Sequence, residues 1–201
     1  DRGLVGSEMC IRDSSLVNER AELAISAGKA KSGSDIYKPS RESFILNRLT
    51  DLNNGPLNKE QIINIFNEII SSCRSTESTF TVSYLGPEGT YSESALEGQF
   101  GRSVDKLPEE NIKKIFESVS SSISDFGIVP IENSTEGSVN LTLDCLAEFD
   151  LKICGEIELQ INHNLLGYNK PLPKEGFEIH AHEQTLGHCR EWLETYCHVV
   201  K

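Results

Sequence analysis

The sequence predicts a multi-domain α plus α/β chain: three helices over residues 16–78, then an α/β region over residues 79–201. Three observations predict it. Apolar residues recur at helical spacing in three successive stretches before residue 76. After Ser75-Thr76-Glu77-Ser78-Thr79 the texture changes to short apolar runs alternating with helical patterns. Two of those runs end in corners rich in glycine and small hydroxyl residues, where open α/β sheets bind ligands.

Residues 1–15 show no helical apolar period and are set aside as a non-native leader. Over residues 16–31, Leu16, Leu23 and Ala27 fall on one helical face, and Gly33-Ser34 breaks the run. Pro39-Ser40-Arg41-Glu42 opens a second helix, with Phe44, Ile45, Leu49 and Leu52 as its apolar face. Asn53-Asn54-Gly55-Pro56 stops it. Asn58 caps a third helix, whose stripe is Ile62, Ile63, Phe66, Ile69 and Ile70. One narrow stripe per helix gives a thin core, so dimerisation through the helices is expected.

In the α/β region, residues 81–85 read as a strand and 92–100 as a helix, with Ser92 placed to cap it. Residues 112–121 read as a helix, 125–129 as a strand and 139–149 as a helix. A long strand is expected over 152–162, then a strand over 177–181 and a helix over 186–196. The final Val199-Val200-Lys201 reads as the start of a further strand, so the chain is expected to continue.

The two corners are Gly86-Pro87-Glu88-Gly89-Thr90-Tyr91-Ser92 and Val129-Pro130-Ile131-Glu132-Asn133-Ser134-Thr135-Glu136-Gly137-Ser138-Val139. Glycine permits close backbone approach, and a helix N-terminus offers N–H groups to an anion. The first is no Walker loop, because no Gly-Lys-Ser/Thr follows. The second brings a carboxylate, an amide and a hydroxyl into one loop. Taken alone, each is also compatible with a simple turn or capping loop.

Formal net charge is −12, and residues 79–201 carry twenty acids against nine bases. No basic stripe marks a nucleic-acid face. No apolar run approaches the roughly 18–20 residues that span a membrane, and residues 1–20 lack a secretory core segment. The six cysteines form no C-x-x-C pair and read as reduced cytosolic thiols. His180, His182 and His188 lack familiar metal-ligand spacing, so neither metal nor cofactor is expected.

In the helical region, Arg20 and Lys31 lie eleven residues apart, within roughly 20° on one face and about 16 Å along the axis. Arg41 and Glu42 open the next helix. Such a cluster suits a small dianion, although a solvated charged face would look the same. Glu19-Arg20-Ala21-Glu22-Leu23-Ala24, Gly28-Lys29-Ala30-Lys31 and Tyr37-Lys38-Pro39-Ser40-Arg41-Glu42 together resemble the all-helical chorismate mutase family.

The resemblance implies rearrangement of chorismate to prephenate, a pericyclic shift in which the site folds the substrate and stabilises developing charge. Arg20 matches a carboxylate-binding arginine and Lys31 a lysine at the ether oxygen. Arg41 matches an arginine near the second carboxylate, and Glu42 the hydroxyl-binding carboxylate. Glu77 falls near the ether oxygen, where it works best protonated. Lys38 stands where some members carry Asp, and Cys73 where some carry Ser. The family's upstream arginine falls near Gly3, inside the leader, so little mutase activity is expected of these residues alone.

The two corners, with His163-Asn164-Leu165-Leu166 and His182-Glu183-Gln184-Thr185-Leu186, resemble prephenate dehydratase. The order of the parts is that of proteobacterial bifunctional enzymes of phenylalanine biosynthesis. The resemblance implies an incomplete two-lobed, periplasmic-binding-protein-like domain with its cleft between the lobes. Glu132, Asn133 and Gln184 would line the active site, with Thr90, Ser92 and Ser134 near substrate groups. The family's Thr-Arg-Phe motif and its regulatory domain do not occur here, so no dehydratase turnover is expected. The expected partners are chorismate, prephenate and a second copy in a cytoplasmic homodimer, with no nucleic acid or membrane. The alternative is a non-catalytic module that senses a small carboxylate.

Overall fold

The structure, a computed structural model, describes residues 2–30, 37–77, 79–134, 137–167 and 178–196. The chain divides into two compact units, Asp1–Ile131 with Asn140–Glu158, and Glu132–Val139 with Leu159–Lys201. It therefore passes from one unit to the other three times.

The first unit opens with three helices, α1 (Arg2–Ala30), α2 (Pro39–Leu52) and α3 (Lys59–Ser75). The first is longer than the sequence pattern predicts, beginning at Arg2 rather than near residue 16. Side chains 6–16 are all exposed, so this early stretch is held by local helical bonding and not by packing. Such a stretch carries no apolar period for sequence reading to find. Pro39 begins α2, where its missing N–H costs nothing. Asn58 caps α3 as expected: its Oδ1 accepts the Gln61 N–H at 2.9 Å while Gln61 Oε1 accepts the Asn58 N–H at 2.9 Å.

A three-stranded parallel sheet follows, in the order β2 (Asp105–Glu109), β1 (Thr81–Leu85), β3 (Phe126–Ile128). Val82 and Tyr84 point to one face of β1, where Leu96 and Phe100 of α4 (Tyr91–Phe100) cover them. On the other face α5 (Ile112–Ser120) packs so closely that a Cβ at Gly127 would lie 2.7 Å from Ile115. Tyr84 is fully buried, and its hydroxyl has no protein partner among the described residues. Burial raises its pKa. The strand β2 escapes sequence reading because Asp-Lys-Leu-Pro-Glu is polar and contains Pro108. It is tolerated because β2 is an edge strand.

The helical region and the sheet share one core. Tyr37, Phe80, Phe100 and Phe126 cluster with ring centroids 4.9 to 5.6 Å apart. Arg74 of α3 is buried among them, its guanidinium 4.9 Å from the Tyr37 ring centroid and 5.0 Å from that of Phe80. It pairs with Glu42 and donates to the Phe100 carbonyl at 2.7 Å. Gln99 donates to the Tyr37 hydroxyl at 2.9 Å, and Asn67 to the Gly98 carbonyl at 3.1 Å. Gly101 closes α4 at φ 76°, and a Cβ there would collide with the Ser71 side chain.

In the second unit, β4 (Glu132–Asn133) and β5 (Gly137–Ser138) form an antiparallel pair. The first unit is completed by α6 (Asn140–Glu148). The expected strand over 152–162 is not formed: those residues alternate in polarity but pair with no neighbour among the described residues, and a strand without a ladder leaves its backbone groups unsatisfied. Of the expected strand over 177–181, only Ile179 makes an isolated bridge, and Phe177 lies outside the described residues. The last predicted helix is two short ones, α7 (Glu183–His188) and α8 (Arg190–Tyr196). No helix among the described residues is long and apolar enough to cross a membrane.

Candidate functional site

In the helical region, Arg20 stands half-buried on α1, while Lys31 lies outside the described residues. Lys38 and Arg41 are exposed at the start of α2, where the Lys38 carbonyl accepts the Arg41 and Glu42 N–H groups at 3.0 and 3.1 Å. Glu42 is half-buried and turned to Arg74. Cys73 is buried on α3. Glu77 follows α3, and its carboxylate lies against α1 at Gly28, where a Cβ would sit 2.5 Å from Oε2. The glycine thus makes room for the carboxylate, one helical turn before Lys31 in sequence. Sequence reading singled out Glu77 and Gly28 separately but had no signal that they touch.

The first corner leaves the carboxyl end of β1, and the stretch 129–131 leaves the carboxyl end of the adjacent β3. With strand order β2-β1-β3, the chain turns to opposite sides of β1, which makes this a topological switch point. Gly86 extends the ladder by donating to the Glu109 carbonyl at 2.9 Å. Gly89 adopts φ 80°, a conformation that favours glycine.

The expected cap by Ser92 is corrected: Thr90 is the N-cap residue of α4, and Ser92 sits within the first turn, too late to reach the free N–H groups. Thr90 Oγ1 instead donates to the Leu85 carbonyl at 3.1 Å. Glu93, in the first turn, reaches back to take the Gly89 N–H at 2.6 Å and the Lys106 ammonium at 2.9 Å. The Gly89 hydrogen bond, then Lys106, holds the Glu93 carboxyl below its usual range. Lys106 also pairs with Glu97 and lowers its pKa likewise. An internal carboxylate therefore already occupies the Gly89 amide of this corner.

At the second corner, fully buried Thr142 of α6 donates to the Pro130 carbonyl at 2.6 Å and fixes the path out of β3. In the second unit, Glu132 and Ser134 are exposed and Asn133 is half-buried. Gln184 lies on α7, and its side chain is outside the described set. Asn133 Oδ1 meets His188 Nε2 at 3.0 Å, and His188 Nδ1 meets His163 Nε2 at 3.4 Å. Sequence reading weighed His188 only as a metal ligand. Among the described residues no group of three or more His, Cys, Asp or Glu is placed to hold a metal. His180 instead faces Glu178 at 3.7 Å.

A family profile described as Prephenate dehydratase matches residues 82–201, and one described as Chorismate mutase type II matches residues 14–78. A bifunctional chorismate mutase/prephenate dehydratase of Stutzerimonas stutzeri is 42% identical over 90% of this chain and 52% of its own length. One from Pseudomonas aeruginosa is 40% identical over the same shares. A prephenate dehydratase of Methanocaldococcus jannaschii is 43% identical over 60% of this chain and 44% of its own. The chain spans about half the length of the curated relatives it matches.

Proposed function

The chain belongs to the prephenate dehydratase family, and from that premise we propose that it acts as a bifunctional chorismate mutase and prephenate dehydratase of phenylalanine biosynthesis. The observation that carries the reading is that the first corner and the stretch 129–131 leave the carboxyl ends of adjacent strands, within the stretch that matches the dehydratase profile.

In the first reaction nothing covalent joins substrate and protein. Arg20 and Arg41 hold the two carboxylates, Lys31 and Glu77 flank the ether oxygen, and Glu42 takes the hydroxyl. Lys38 and Cys73 border the same substrate. The position of Glu77 against α1 supports this set. In the second reaction the ring hydroxyl takes a proton and leaves as water. The ring carboxylate leaves as CO₂, and its bonding pair enters the ring, which becomes aromatic. Glu132, Asn133 and Gln184 orient the reacting groups, and Thr90, Ser92 and Ser134 bind the polar periphery.

The dehydratase region is assigned two lobes like those of periplasmic binding proteins, supported by the three passages of the chain between its units. The protein is assigned to the cytoplasm as a homodimer, the pairing through the helices being supported by the apolar residues that α1 and α2 expose, Leu16, Leu23, Phe44 and Leu52.

Calorimetric titration tests both halves. Prephenate should bind saturably, and Asn133→Ala should weaken it about tenfold. Preference for simple monocarboxylates over prephenate would favour the sensing module. For the mutase half, Gly28→Ala should displace Glu77 and weaken binding of a bicyclic dicarboxylate that mimics the rearrangement's transition state. Its fold should hold or gain by up to about 1 kcal/mol, since alanine favours helix. Unchanged mimic binding would remove Glu77 from the site.

A further inference from the structure

The second unit places two histidines behind a proposed dehydratase residue. Asn133 sits on the two-residue strand β4, a short support for a side chain that must be held to a fraction of an ångström. Its half-buried amide is met by His188 from α7, fifty-five positions along the chain, at 3.0 Å. Behind His188 stands His163, 3.4 Å away, the two rings meeting edge to face at 73° with centroids 5.4 Å apart.

The polarity of this chain of bonds follows from its acceptor end. The atom of Asn133 that faces His188 is Oδ1, which can only accept. His188 Nε2 must therefore carry a proton. In the neutral ring Nδ1 is then bare and accepts, so His163 Nε2 is the donor. The two bonds form together only when both rings carry the Nε2 proton and Asn133 keeps its oxygen toward His188.

We infer that His188, set by His163, is a positioning residue that holds the Asn133 amide with its carbonyl toward α7 and its NH₂ as the donor edge. The inference rests on the proposed dehydratase reading. It deepens that reading by naming the substrate chemistry Asn133 takes: an oxygen that accepts a hydrogen bond, as the carboxylates and ring hydroxyl of prephenate do. Asn133 turned the other way would present an acceptor to a carboxylate and repel it. His188 does not touch substrate; it acts through Asn133.

The test uses this chain with ¹⁵N-labelled histidine, read by NMR, and calorimetric titration with prephenate. His188 should show a protonated Nε2 and a bare Nδ1. His163→Leu should let the His188 tautomers mix while leaving the fold intact. His188→Leu should weaken prephenate binding about five- to tenfold, the loss of one orienting hydrogen bond. His188→Gln, whose amide NH₂ can donate the same bond, should recover most of that loss, which a role in packing alone would not explain. A proton found on His188 Nδ1 overturns the relay, and wild-type binding by His188→Leu overturns the positioning role. A chain that binds no prephenate sinks the dehydratase reading at this hairpin, while the tautomers still decide the relay.

Discussion

The second and third helices show opposite economies of burial. No residue of α2 is buried, and Phe44 and Leu52 stand about two-thirds exposed. In α3 five residues are buried, Ile62, Ile70, Ser71, Cys73 and Arg74, and three of these lie in its last five positions. Those last positions meet Phe80, Phe100 and Gly101 of the α/β region. The difference teaches that burial in the helical region concentrates on α3. The last turn of α3 takes its burial from the dehydratase-like region, and the two regions share one core at that junction.

The sharpest way to break that statement is Gly101→Ala. The residue would have to keep φ 76° and fit its Cβ where Ser71 stands. A loss of about 2–4 kcal/mol is expected in urea unfolding followed by circular dichroism. Hydrogen exchange should show α3 and β1 losing protection together. Protection lost from β1 but kept in α3 would mean that the helices stand alone.

A smaller effect is expected from Arg74→Leu, about 2–3 kcal/mol, because it strands the half-buried Glu42. Adding Glu42→Leu should return part of it, since removing both charges costs less than removing one. A strictly additive double variant would show that the pair does not couple the helices.

The smallest effect concerns pH. Burial pushes the Tyr37 hydroxyl from 10.0 up to about 12. The folded state thus holds this proton more tightly than the unfolded one. Its contribution to stability is intact below pH 10 and lost as pH rises toward about 12. In Tyr37→Phe the alkaline slope of stability should flatten, read as urea midpoints between pH 9 and 12. An unchanged slope would place the junction's alkaline weakness elsewhere.

Local chemistry was legible in the sequence, and partnership was not. Asn58 and Gln61 lie three residues apart, so their reciprocal cap could be read directly. The run Thr81–Leu85 sets Val82 and Tyr84 at strand spacing with Leu85 after them, and it too was plain. Residues 152–162 had the alternation of a strand, but a strand is defined by its neighbour, and none among the described residues pairs with them. Conversely, β2 has an unconvincing composition and forms because β1 offers it a ladder. The carboxylates at the ligand corners were identifiable by type. That Glu93 already caps Gly89, that Glu77 rests on Gly28 and that His188 grips Asn133 are contacts over four to fifty-five positions, which no local pattern encodes.

The chain's three passages between its units bear on how such a gene can be rearranged. The short segment 132–139 belongs with residues beyond 158, although 140–158 separates them. A single recombination breakpoint anywhere from 132 to 158 would therefore join pieces of mismatched ancestry inside one unit. A breakpoint from 139 to 158 would take the hairpin that carries Asn133 from one parent and the histidine that orients it from the other. Exchange of the second unit between relatives needs three matched breakpoints, so Asn133 and His188 should be inherited together.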